Sequence, residues 1–179
     1  MPKKYVYYMV LADPEYKDHA LALGHMLGHW GELETRLMRM TEFLFQAQGD
    51  HVNHFKTDFV YKEFINLPSK ITLLERITKW FIQDVSLKEE INKLLKRVRN
   101  LNSTRNNYVH ARWMSYAGYG ETSNKLRRIS LASPRNINEL YKPTKHVTPR
   151  DILDFAAKIV KLSQDFDELL DRVFPISLK

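Results

Sequence analysis

The sequence predicts an all-α fold, a four-helix bundle with a hairpin or ordered loop inserted between the third and fourth long helices. Three observations carry this expectation. Apolar residues recur at helical spacing in four long segments. Helix-start signals stand ahead of the third and fourth of them. Strand-like patterning is confined to about 111–147, whereas a parallel α/β architecture needs strands alternating with helices. At 179 residues the chain fits one domain, 1–179, with 111–147 as an insertion within it.

The first helix is expected from about Asp18 to Gln48, where Leu23, Met26, Leu27, Trp30, Leu33, Leu37, Met40 and Leu44 form one stripe. Ahead of it, "MPKKYVYYMVLADPE" reads as an extended segment; its apolar run is Tyr-rich, short for a signal core, and lacks a small-x-small cleavage site. Phe59 to Asn66 suggests a short helical turn. Ser69 to Gln83 reads as the second long helix, with Ile71, Leu74, Ile77, Trp80 and Phe81, and with Pro68 at its start, where proline is tolerated. The third helix runs from about Leu87 to Val109, with Ser86 and Glu89 spaced as a capping box.

Between Ala111 and Val147, "ARWMSYAGYGETSNKLRRISLASP" holds two short segments of strand character separated by Gly and polar residues. The fourth helix follows Thr148, Pro149 and Asp151, which offer an N-cap, a proline in the first turn and an acid at N3. Ile152, Phe155, Ala156, Ile159, Leu162, Phe166, Leu169 and Val173 then share one face.

The chain has no cysteine, which excludes disulfides, thiolate metal sites and a cysteine nucleophile and fits a reducing compartment. No stretch approaches the roughly 18 to 20 apolar residues that span a bilayer, so no membrane partner is expected. The expected location is cytoplasmic. The formal net charge of +7 favours encounters with polyanions, nucleic acid above all.

The stretch "TRNNYVHARW", Thr104 to Trp113, carries the most informative chemistry. At ~100° per residue, Ile91, Leu94, Val98, Leu101, Tyr108 and Val109 fall within about 50 to 60° of one direction, the core face. Arg105 falls in the middle of that cluster. Asn102, Ser103, Asn106 and His110 gather around Arg99 as a polar stripe, and Lys93, Lys96, Arg97, Asn100, Thr104 and Asn107 form a sector read as solvated surface. An arginine on an apolar face calls for an acidic partner or a functional reason, because burying an unpaired charge is costly. On the first helix Glu34 borders the core face, which makes it the candidate partner, with bidentate capacity. Two plainer readings stand beside this one: Arg105 snorkels to water, or it forms a purely structural pair with Glu34.

The run Arg105-Asn106-Asn107-Tyr108-Val109-His110 resembles the R-x4-6-H signature of the HEPN superfamily, and it lies in the third long helix, where that signature is usually found. "HWGELETRL", His29 to Leu37, is similar to the Trp-x-x-Leu-Glu pattern of small bacterial members. The resemblance covers the four helices and leaves about 115–147 unaligned. It implies metal-independent RNA cleavage, often by toxins or defence proteins, from a homodimer whose motif helices share a cleft; a cognate antitoxin or regulatory protein is a further implied partner. Carried onto this chain, Arg105 neutralises the phosphate, Asn106 orients the scissile group and His110 moves protons, with Glu34, Arg99 and Asn102 in support. A ribose 2′-hydroxyl attacks the adjacent phosphorus and the 5′-oxygen leaves, giving a 2′,3′-cyclic phosphate and a 5′-hydroxyl; an imidazole and a guanidinium suit those steps without metal or cofactor. Members modified on a tyrosine two residues after the histidine differ from this chain, which has Arg112 there. Other members are non-catalytic nucleic-acid- or protein-binding modules, and that alternative stays open.

His25 and His29 lie one turn apart, with His51 and His54 beyond, but "HMLGH" lacks the glutamate of a zincin helix, and surface histidines are the expectation. "GYGE", Gly118 to Glu121, lacks the pattern of a phosphate loop and reads as a turn. Arg112 and Tyr116 on one segment and Lys125, Arg127 and Arg128 on the other form a candidate RNA-tracking ribbon, with a solvated hairpin face as the equal alternative. Five residues apart on a straight helix, Arg105 and His110 diverge by ~140°.

Overall fold

A computed structural model describes residues 14–46, 61, 66–109, 112–115, 126–129 and 145–173. The fold is all-α, with four helices among the described residues: α1 (Pro14–Gln46), α2 (Leu67–Phe81), α3 (Val85–Val109) and α4 (Pro149–Val173). The expected N-terminal extended segment and the turn over 59–66, apart from Tyr61 and Asn66, lie outside the described residues. The chain divides into two compact units, Met1–Gly28 with Arg105–Ala157, and His29–Thr104 with Lys158–Lys179.

The second unit is the four-helix bundle. Its core is the stripe that the periodicity marks: Trp30, Leu33, Leu37, Met40 and Leu44 of α1 are buried, as are Ile71, Leu74 and Ile77 of α2. Leu95 of α3 is fully buried beside Ile91, Leu94 and Val98, so the core face of α3 is wider than its wheel suggests. Each fully buried side chain of this size contributes about 1.5 to 3 kcal/mol. That burial sustains α1 through Gly24, Gly28 and Gly31, each of which costs roughly 1 kcal/mol in a helix interior.

Ring contacts and ion pairs set the neighbours. Phe45 meets Phe81 edge-on, 6.0 Å between centroids. Near the other end of α2, Lys70 lies 4.4 Å over the ring of Tyr61, whose hydroxyl donates to the Glu34 carbonyl at 3.4 Å. α1 and α2 therefore run in the same sense. Residues 82–84 turn the chain tightly into α3, antiparallel to α2, and Arg99 reaches back to Glu75 at 3.1 Å. Glu90 pairs with Arg172 and Arg97 with Asp165, so α3 and α4 are antiparallel as well. Arg36 lies half-buried and forks onto Asp167 with Nε at 2.9 and 3.0 Å from the two carboxylate oxygens.

Two apolar side chains of the expected stripes face water. Leu27 is 41% exposed and Trp80 66% exposed. Both lie at the margin of their stripe, where a neighbouring helix has to be present to cover them.

Caps explain where the helices start. Asn66 accepts from Ser69 N–H at 2.9 Å, with Pro68 in the first turn of α2. α4 begins with the expected box: Thr148 N–H donates to Asp151 Oδ2 at 2.8 Å, and Asp151 N–H donates to Thr148 Oγ1 at 3.2 Å. The start of α3 corrects the sequence reading. Asp84, two residues ahead of Ser86, accepts from Leu87 N–H at 3.1 Å through its side chain and from Lys88 N–H at 3.0 Å through its carbonyl. An aspartate is as good a cap as serine and lies at the exit of the α2 turn, so the helix starts there. Alanine at Asp84 is expected to lower stability by about 0.5 to 2 kcal/mol, against less than ~0.5 kcal/mol for Ser86→Ala. Urea unfolding of the two variants checks the order; equal losses would return the cap to Ser86.

Asp165 makes the α3–α4 seam sensitive to acid. Partial burial pushes its carboxyl up, but hydrogen bonds from Arg97 and Lys161 outweigh that, and the net pKa lies below the ordinary 3.8. The same pairing holds Lys161 above the usual lysine range. A carboxylate depressed on folding adds stability above its unfolded pKa and loses it as pH falls through the folded value. The stability gap between wild type and Asp165→Asn is therefore expected to be full at pH 7 and to close below about pH 4, read from urea midpoints across pH.

The first unit holds the N-terminal half of α1, the last turn of α3, the first part of α4 and the whole of 111–147. Within the segment expected to hold a hairpin or ordered loop, the described backbone forms three antiparallel strands in the order β1 (Arg112–Ser115), β2 (Leu126–Ile129), β3 (Lys145–Val147). Trp113 faces Arg128 and Met114 faces Arg127 across β1 and β2, and Leu126 faces Val147 across β2 and β3. Val147 is buried, and its carbonyl accepts from Nε2 of His19 at 3.0 Å; His19 is itself buried on α1.

Candidate functional site

α3 carries no proline or glycine from Val85 to Val109, and its charged and amide side chains are good or neutral helix formers outside the apolar stripe. Its last described turn is fixed by Tyr108, which is buried and stacks at a tilt on Phe155 of α4, 5.5 Å between centroids. Arg105 sits one turn earlier. It is half-buried, with Nε out of contact with water.

Asn106 is its immediate partner. Arg105 Nη1 donates to Asn106 Oδ1 at 3.0 Å, and both side chains are half-buried. Because the amide oxygen accepts from the guanidinium, the amide nitrogen is the group that Asn106 offers outward. The pair presents N–H donors and one fixed positive charge, the equipment for a phosphate oxygen. His110 follows Val109 directly in the chain and lies outside the described residues, as does its angle to Arg105.

The supporting residues are placed as follows. Asn102 is half-buried on α3, and Arg99 is exposed and engaged with Glu75; both belong to the second unit, whereas Arg105 and Asn106 belong to the first. Glu34, also in the second unit, is half-buried and its Oε1 accepts from Trp30 Nε1 at 2.9 Å. Burial and then the Glu34 charge push the Tyr61 phenol well above its ordinary value, so Tyr61 is a neutral donor at any physiological pH. Trp30 and Glu34 lie one turn apart inside the tryptophan-containing stretch, and their bond locks both to the same face of α1.

Arg112 falls on β1, and Arg127 and Arg128 fall on β2, which pairs with it. Lys125, Tyr116 and the Gly118 to Glu121 turn lie outside the described residues. His25 is exposed, and His29 lies 3.3 Å from Glu32, a surface pair one turn along α1. Among the described residues no group of three or more His, Asp or Glu is placed to hold a metal ion, and no helix is long and apolar enough to cross a membrane. His51 and His54 lie outside the described residues.

Two residues escape the sequence reading. His19 was legible: it continues the spacing of Ala22, Met26 and Trp30 by one step toward the N-terminus, which marks it as a buried position. Lys158 carried no such signal, because its neighbourhood depends on α4 lying against α3. Comparison with known proteins returns no match: no family model, no curated protein and no solved structure is similar enough to this chain to assign it.

Proposed function

We infer that the protein is a metal-independent endoribonuclease of the HEPN type. The observation that carries this reading is the half-buried Arg105, held by Asn106 on α3 in the Arg-Asn segment of the R-x4-6-H run. In this reading Arg105 and the Asn106 amide take the phosphate oxygens. His110 withdraws the 2′-hydroxyl proton and returns a proton to the departing 5′-oxygen, and the charge that builds on phosphorus meets the guanidinium. The products are a 2′,3′-cyclic phosphate and a 5′-hydroxyl, and a homodimer supplies the second motif helix. Glu34, Arg99 and Asn102 support the motif helix, and Arg112, Lys125, Arg127 and Arg128 track the RNA backbone.

The direct test incubates purified protein with structured and single-stranded RNA in excess EDTA and analyses the ends. Cleavage that survives the chelator and leaves cyclic phosphate is the expected result. Intact RNA across the panel, or cleavage that EDTA abolishes, rejects the reading.

A further inference from the structure

The sector of α3 that reads as solvated surface contains a pocket. Arg97, Asn100 and Leu101 of α3 and Lys158 of α4 line a cavity of about 260 Å³, wholly within the second unit. Along the seam toward the C-terminal end of α4, cations are matched by acids: Glu90 holds Arg172, and Asp165 takes both Arg97 and Lys161. At the pocket the matching ends. Among the described residues no carboxylate lines it, and Lys158 is exposed and pairs with no acid.

The donors fit an oxyanion. Arg97 spends Nη1 on Asp165, which leaves the other side of its fork. The Asn100 amide and the Lys158 ammonium add donors from two helices, and Leu101 adds an apolar side chain to the lining. What favours a chain of phosphates over a single anion is the continuation of charge: Lys96 and Lys93 are exposed on the same sector, one and two turns before Asn100. We propose that this pocket is a phosphodiester-binding site for the RNA backbone, built from residues other than those of the Arg105 motif. The proposal rests on RNA being the ligand of the inferred function, and it assigns to Lys158 a specific share of the affinity.

The test uses the full chain and single-stranded 2′-O-methyl RNA, which lacks the attacking hydroxyl and stays intact, with fluorescence anisotropy over a range of KCl. Lys158→Glu is compared with Lys79→Glu, an identical charge change on exposed α2 surface, and circular dichroism confirms that both fold; Lys158→Ala provides a milder third variant. Lys158→Glu is expected to weaken binding about tenfold relative to Lys79→Glu, and Lys158→Ala to lower the slope of log affinity against log salt by about one. Equal weakening by the two glutamates overturns the pocket and leaves the nuclease reading standing. Lys158-dependent binding with no cleavage of ordinary RNA upholds the pocket and removes the nuclease. Wild type that binds no RNA overturns both, and inorganic pyrophosphate that binds through Lys158 without displacing RNA assigns the pocket to a small anion and overturns the proposal.

Discussion

Alanine at His110 is expected to lower the rate of RNA cleavage by about 10²- to 10⁴-fold, the range a positioned general acid–base contributes. RNA affinity should stay within a few-fold, because in the proposed function the share of His110 is proton transfer, not charge pairing. The pH–rate profile of wild type should carry a limb near the ordinary histidine value of about 6.5, which the variant loses. Arg105→Ala is a different experiment. It removes a half-buried guanidinium that Asn106 accepts from, so activity, affinity and melting temperature should all fall. Arg105→Lys separates the roles, since it keeps the charge and loses the fork. A His110→Ala protein that cleaves at the wild-type rate would leave Arg105 as a binding or structural residue and bring forward the non-catalytic module.

Phe166→Ala should cost about 3 to 5 kcal/mol, the range for truncating a buried aromatic ring. Phe166 is fully excluded from solvent, and among the largest side chains so buried. At roughly 2 to 4 °C per kcal/mol for a chain of this size, the melting temperature should fall by about 10 °C. Trp80→Ala removes a larger ring yet should move stability by less than ~0.5 kcal/mol, because Trp80 is 66% exposed. Thermal melts of the two variants decide the point. A large loss at Trp80 would mean that another surface covers it in solution.

That contrast shows where sequence reasoning reaches its limit. Phe166 sits at the centre of its helical stripe and Trp80 at the margin of its own, and the sequence reading assigns both to the core. Periodicity reports the direction of a side chain around its own axis; burial also requires a neighbour at that height. Leu27 fails for the same reason, and Leu95 is buried because α3 packs against more of its circumference than a single stripe covers. The cap of α3 was misplaced by two residues because Ser86 and Asp84 both satisfy the local chemistry, and only the path out of α2 chooses between them.

Of the candidate site, the sequence made legible what a single helix determines. The apolar stripes, the start of α4 at Thr148, and the anomaly of Arg105 among core positions beside Asn106 all follow from spacing of about 3.6 residues per turn and local hydrogen-bonding chemistry. Tertiary structure alone decided which acids neutralise which cations, that β1, β2 and β3 pair in one antiparallel sheet, and that Arg97, Asn100, Leu101 and Lys158 line one pocket. The pocket and the Arg97–Asp165 pair join residues more than 50 positions apart in the chain. No local pattern encodes such a meeting, because it is set by the packing of whole helices rather than by the residues that meet.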